Sequence, residues 1–401
     1  MKILVISHEF PPSIGGGGKT VYSISYELSK KNQIDVITPY YPELKRIEKI
    51  GNMNIFRVRV LGRVNVEFQY KTFILLSFLS FIFSGIIKGL FLAVKNRYDI
   101  IHSHFVIPSG LIGTVISFLT KIPHVTTIYE ADVFDPRYQC LIPYKSIFIK
   151  LVIYFVIKFS KKTISISSYI ANATKKFYLS LYGEKNRQIS IISPGIDLIR
   201  YKKQKEKTDF GLKQNDFVLI SIGRLVKRKN FDGLIEVMRQ IDDKKIKLII
   251  IGNGPEYRML KEKVEKFRLQ ERIFFLTDLN DEKKYDYLSI SDVFVSTTLH
   301  EGFGIVYLEA MCFGLPIITT DEGGQKDLIT DGENGFLVRV GDIKNFVEKI
   351  LLLHDNKSLY EKIKFNNLEK IKNFSIKSVA DKYMKLFKEA INEKKYSMSI
   401  L

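Results

Sequence analysis

Only two cysteines occur in 401 residues, Cys140 and Cys312, and they stand far apart with no metal-ligand spacing. Neither a disulfide framework nor a zinc site is expected, and that usage suits a reducing interior. No D-x-D acidic pair occurs, so a carboxylate-held divalent cation lacks its usual signature and no metal is expected. The most apolar stretch, residues 71–95, is broken by Lys88 and offers 15 uncharged residues from 73 to 87. A spanning helix needs roughly 20, which leaves a core helix with a lipid-touching edge as the expectation. The opening MKILVISHEFPPS has a short apolar run ending at His8 and Glu9, which reads as a first strand and lacks the core of a signal peptide.

Acidic residues are scarce in the first half of the chain. Formal charge is +19 overall; residues 1–205 carry 29 Lys and Arg against 12 Asp and Glu, whereas residues 206–401 carry 33 against 31. A uniformly basic composition would spread the excess over both halves. Instead it interleaves with apolar and aromatic runs at 71–95 and 144–162, the combination that docks on an anionic membrane surface. No nucleic-acid-binding motif accompanies the charge, so no nucleic-acid partner is expected.

What is present is 46% hydrophobic residues arranged as alternating strand and helix patterns, in a chain too long for one core. Strands are predicted at 2–7, 33–38, 100–104 and 124–128, with a helix over 19–31 after a glycine-rich turn. The second half repeats the alternation, with strands at 217–222, 247–251, 273–276, 293–296 and 316–319. Two doubly wound α/β domains are expected, 1–200 and 201–374, with ligands at the carboxyl ends of their strands in the cleft between them. Residues 197–214 read as the linker. A last helix over 375–392 presents Val379, Tyr383, Leu386, Phe387 and Ala390 on one face.

The most informative stretch is SDVFVSTTLHEGFGIVYLEA, residues 291–310. An apolar strand runs into a turn bearing Gly302 and Gly304, and a helical pattern follows at once. The first free N–H groups, near Gly304, Ile305 and Val306, carry the positive end of the helix dipole and suit a diphosphate. Glu309, just over a turn on, can accept hydrogen bonds from both vicinal hydroxyls of a ribose. Glu301, in the turn, would stand beside whatever the diphosphate carries.

This stretch, continued through CFGLPIITTDEGGQKDLITDGENGFLV, resembles the signature region of retaining glycosyltransferases of the GT-B fold, glycosyltransferase family 4 in particular. The likeness is collinear and includes PPSIGGGG near the start, DIIHSHF at 99–105, ISPGID at 192–197, SIGRLVKRKNFDGLI at 221–235 and IGNGPE at 251–256. It implies two Rossmann-like domains, the final helix returning to the first, and a nucleotide sugar as donor. It also implies that Arg224 and Lys229 neutralise the leaving diphosphate without a metal or other cofactor. Gly15 and Gly16 would bring backbone N–H groups to the donor phosphate from the first domain.

The chain departs from the family where V-T-x-H-G-x-D is usual. Here Val125 to Asp132 reads VTTIYEAD, with Tyr129 for the histidine and Glu130 for the glycine. The resemblance gives Tyr129 the task of contacting a sugar hydroxyl and makes Asp132, or Glu130, an alternative base. His102 and His104 read either as cleft residues or as structural ones. The expected activity is metal-independent transfer of a hexose-type unit, with retention, from a nucleoside diphosphate sugar to a lipid, lipid-linked or saccharide acceptor. The expected place is the cytoplasm, at the inner face of the membrane. Alternatives are a nucleotide-sugar epimerase or hydrolase of like fold, a membrane-binding descendant without activity, and a phosphate-loop NTPase. The last rests on SIGGGGKT, one residue from G-x-x-x-x-G-K-T.

Overall fold

The computed structural model describes residues 1–12, 16–42, 44–61, 71–133, 146–198 and 205–398. It divides into two compact units, Met1–Gly195 with Ile376–Leu401, and Ile196–Ser375.

The first unit holds β1 (Lys2–Ser7), β2 (Gln33–Pro39), β3 (Ile47–Ile50), β4 (Met53–Val58), β5 (Ile100–His104), β6 (His124–Ile128), β7 (Lys162–Ser165) and β8 (Ser190–Ile191). Its helices in chain order are α1 (Gly16–Ser29), α2 (Lys71–Asn96), α3 (Leu111–Thr120), α4 (Ile147–Phe159) and α5 (Ser168–Thr174). The sheet order is β3-β4-β2-β1-β5-β6-β7-β8, parallel except at the β3–β4 pair. Every residue of β5 and β6 is buried, as expected of strands covered on both faces. Ser7 pairs with His104 and His104 with Thr127, so β1, β5 and β6 end level and deliver their following loops to one edge.

The second unit holds β9 (Phe217–Ile222), β10 (Ile246–Ile251), β11 (Ile273–Leu276), β12 (Val293–Ser296), β13 (Ile317–Thr320) and β14 (Gly335–Val338). Its helices are α6 (Phe231–Arg239), α7 (Tyr257–Lys266), α8 (Asp281–Ile290), α9 (Ile305–Cys312), α10 (Ile343–Asp355) and α11 (Lys357–Lys370). Its six strands are all parallel, in the order β11-β10-β9-β12-β13-β14. The final helix α12 (Ile376–Met398) belongs to the first unit. Its stripe Val379, Tyr383, Leu386, Phe387 and Ala390 is buried, against α1 and β6.

Two helices differ from the sequence reading. α1 begins at Gly16, three residues before 19, so the glycine run supplies its first turn instead of a loop. α2 is longer than the charge at Lys88 suggested, running 26 residues, and by length and composition alone it suffices to cross a bilayer. Lys88 interrupts nothing because its ammonium lies over the rings of Phe56 and Phe91, 4.6 and 5.4 Å from their centres. One face of α2 is committed to the protein: Phe81, Leu92 and Ala93 join the core, and Gly85 and Gly89 let the helix lie directly on Ile112 and Ile116 of α3.

The core of this unit includes three fully buried histidines, His102, His104 and His124. Burial pushes His104 and His124 down to about 3 and His102 well below its usual value. They are therefore neutral when folded and bind protons near pH 6.5 only when unfolded, so their titration leaves folding unaffected well above that pH and opposes it increasingly below. Asp132, pushed up to about 7 by burial, acts in the opposite sense between about pH 4 and 7. Three groups outweigh one. The urea midpoint is expected to rise between pH 5 and 6.5; a flat or falling midpoint would show that these imidazoles are protonated in place.

Candidate functional site

The strand order of the second unit reverses at β9, which has β10 on one side and β12 on the other. The crevice beyond their carboxyl ends is where an open α/β sheet receives a ligand. The loops after β9 and β12 are laced together there. Leu299 N donates to Arg228 O at 2.8 Å, Thr298 Oγ1 to Arg228 O at 3.1 Å, and Asn230 Nδ2 to Thr297 O at 3.0 Å. The Asn230 side chain also accepts from Gly233 N and so caps α6. Below, Leu225 N donates to Asn253 O at 3.0 Å and Glu256 N to Leu225 O at 3.1 Å, seating the turn that carries Arg224 on the loop after β10. Arg224 itself is exposed.

Glu301 lies where these loops meet and is 6% exposed. Its carboxylate forms an ion pair with Lys229, and Arg228 Nη1 stands 3.7 Å away while donating to His300 O at 3.0 Å. The Glu301 carbonyl accepts from Gly324 N at 2.7 Å, so the paired glycines after β13 hold its main chain. Burial alone would raise the carboxyl, but the Lys229 and Arg228 cations outweigh it and hold Glu301 below the usual range. An ionised carboxylate and two cations thus share one buried spot.

Three residues on, Gly304 takes φ 87° and α9 begins at Ile305 with no side chain capping its first turn. A Cβ at Gly304 would stand 2.3 Å from the Tyr307 ring, so this turn requires glycine. The amide groups of an uncapped first turn are an anion site in waiting. Glu309, 7% exposed on the same helix, is paired with Lys284 Nζ of α8 at 2.6 Å, and that ammonium also reaches Asp281 at 3.0 Å. Burial opposes the Lys284 charge, yet Glu309 and Asp281 raise its pKa.

Of the residues singled out from sequence, Glu301 and Lys229 are in contact, Arg224 shares a loop with Lys229, and Gly304, Ile305, Val306 and Glu309 lie along one turn and helix. Arg228 and Lys284 went unrecognised. Arg228 stands between two lysines in a basic run that does not single it out, and nothing local to Lys284 announces a partner 25 residues away.

The first unit yields one correction. Tyr129 is 4% exposed, its hydroxyl is hydrogen-bonded to His104 Nδ1 at 2.8 Å and its ring stacks on Phe105 with centres 4.2 Å apart, so it supports the loop from beneath and does not offer its hydroxyl to a sugar. Asp132 accepts from Val106 N at 2.8 Å and Tyr129 N at 2.9 Å. Both oxygens accept from main chain, which makes it a staple between the loops after β5 and β6. His102 and His104 are core residues, with Tyr383 and Phe387 of α12 against the His102 ring. Gly16 is the exposed first residue of α1, and Gly15 lies outside the described residues. Among the described residues no three His, Cys, Asp or Glu side chains are grouped to hold a metal ion.

Two doubly wound, mostly parallel units, the second with a helix amino terminus and two lysine-paired glutamates at its switch point, define a glycosyltransferase of the GT-B fold. The chain belongs to glycosyltransferase family 4: residues 14–200 match the family described as Glycosyltransferase Family 4, and residues 202–370 match Glycosyl transferases group 1. It is 24% identical over 396 residues to N-acetyl-alpha-D-glucosaminyl L-malate synthase of Bacillus anthracis, covering 96% of each chain. It is 28% identical over 310 residues to UDP-Gal:alpha-D-GlcNAc-diphosphoundecaprenol alpha-1,3-galactosyltransferase of Escherichia coli, covering 75% of this chain and 78% of that one. The crystal structure of Anabaena HepE in complex with UDP superposes with a TM-score of 0.76 at 19% identity, over 97% of this chain and 100% of that one. Membership of this family sets the phosphate-loop NTPase reading aside.

Proposed function

We propose that this glycosyltransferase works with retention and without a metal, moving a hexose-type unit from a nucleoside diphosphate sugar to a lipid-linked acceptor at the inner face of the membrane. The observation that carries the reading is the buried Glu301–Lys229–Arg228 cluster beside the uncapped start of α9, with Glu309 one turn further along. In this reading the diphosphate lies against the α9 amide groups, and Arg224 and Lys229 neutralise the charge that develops as it leaves. Glu309 accepts from the ribose hydroxyls. Glu301, held ionised by its cations, orients Lys229 and stands beside the sugar. The departing phosphate oxygen takes the acceptor proton, so no protein base is needed, which agrees with Asp132 and Tyr129 being occupied elsewhere. The names of the Escherichia coli relative and of the HepE complex make a uridine donor and a diphosphoundecaprenol-type acceptor the first to try.

A panel of nucleotide sugars tests this. UDP and one UDP-hexose are expected to raise the melting temperature by several degrees, since a ligand bound only to the folded state stabilises it. Product formed with the donor's anomeric configuration, at a rate unaffected by EDTA, is the second expected result. Inversion, or activity abolished by the chelator, would overturn the mechanism while leaving the family membership untouched.

A further inference from the structure

We infer that the outer surface of α2, α3 and α4 is the face by which this protein seats itself in an anionic bilayer, which extends the membrane reading above from a location to a defined surface. α2 packs on α3 and α3 on α4, so the three form one continuous layer over the sheet from β4 to β6. On its outside, Leu79, Phe83, Ile87 and Phe91 recur every fourth residue along α2, and Phe118 of α3 and Phe148 of α4 continue the surface, all between 56% and 71% exposed. Soluble surfaces rarely gather large apolar side chains in this way unless something covers them.

What covers them is indicated by charge. The three helices contain no aspartate or glutamate, while Lys88, Lys95, Lys150 and Lys158 lie on them and Lys121 closes α3. The Lys88 and Lys121 ammonium groups lie against Phe91 and Phe118, with ring centres 5.4 and 4.9 Å away, the posture of a cation at the headgroup level above a ring that enters the acyl region. Lys158 is also paired with Glu184 at 3.6 Å, so it contributes less. A second copy of the chain would set lysine against lysine around the apolar centre, whereas anionic lipid meets both features at once. Nor is α2 free to cross the bilayer despite its length. Its inner face holds Phe81 and Leu92 in the core and lies against Ile112 and Ile116, so spanning would strip the first unit of its packing. The layer sits in the interface plane with one face immersed.

The chain has no tryptophan, so one introduced ring reports without background. Phe83→Trp in the full-length protein is expected to shift its emission to the blue on vesicles of mixed phosphatidylcholine and phosphatidylglycerol, to be quenched by brominated acyl chains, and to respond far less to phosphatidylcholine alone. Phe365→Trp, on the exposed side of α11 in the other unit, is expected not to change. Phe83→Glu combined with Phe148→Glu is expected to weaken vesicle binding at least about a hundredfold, from burial lost at two rings. The melting shift given by nucleotide is expected to be unchanged in that variant, which separates failure of this surface from failure of the donor site. Undiminished vesicle affinity in the double variant, or a blue shift of Phe83→Trp that appears with protein concentration in the absence of lipid, would overturn the inference.

Discussion

Replacing Arg224 and Lys229 together by alanine is expected to lower sugar transfer by at least about a thousandfold, because removing one preorganised charge-stabilising group alone commonly costs about a hundredfold or more. The two side chains contribute differently. Arg224 is exposed in its loop, so its loss is expected to fall on turnover with little change in melting temperature. Lys229 also neutralises Glu301, which is nearly buried and would keep only Arg228 at 3.7 Å. Breaking one side of a buried pair costs about 3–5 kcal/mol, so Lys229→Ala should lower stability as well as rate. Adding Glu301→Gln removes the stranded charge, and the double variant should regain melting temperature without regaining turnover. Wild-type turnover in the Arg224→Ala, Lys229→Ala protein would remove the diphosphate from this loop.

Glu309→Gln is expected to raise the donor KM by about tenfold to a hundredfold with a smaller fall in kcat, the pattern of an interaction made equally in ground and transition states. A carboxylate accepts two hydroxyl hydrogen bonds; the amide can accept only through its carbonyl oxygen. The substitution is close to isosteric and leaves Lys284 with Asp281 at 3.0 Å, so a general loss of folding is not the expected route. A donor with 2′-deoxyribose sharpens the comparison. The wild-type enzyme should bind it more weakly than the parent donor, and the Glu309→Gln variant should discriminate far less. If that variant keeps full discrimination, the ribose is held elsewhere, and Glu309 serves only to pair Lys284.

β1, β9 and β12 were legible because burial on both faces writes them as largely apolar runs, and with β5, β6 and β11 they stand where the sequence put them. β3, β4, β7, β8 and β14 were missed: β8 is two residues long, β4, MNIFRV, mixes polar with apolar residues, and β3, IEKI, is alternately exposed at the sheet edge. The turn into α9 was legible for a local reason, since Gly302 and Gly304 between a strand and a helical pattern leave few other geometries. What could not be read were partnerships across distance. Lys284 with Glu309, Arg228 with Glu301 and Asp132 with the amide of Val106 each join separate elements, and no periodicity reports them. The substitution of Tyr129 for histidine drew attention to a real difference but not to its meaning. A phenol hydrogen-bonded to His104 is a packing solution, visible only once β5 and β6 lie side by side.

Because α12 closes the first unit, residues 196–375 form an insertion between two parts of a single core. During synthesis the inserted unit has its entire sequence outside the ribosome before Val379, Tyr383 and Phe387 have emerged. The first unit, although translated earlier, must wait with the ground around His102 bare. Order of birth and order of completion are therefore reversed along this chain. A truncation of the last two dozen residues would injure the domain farthest from it in sequence.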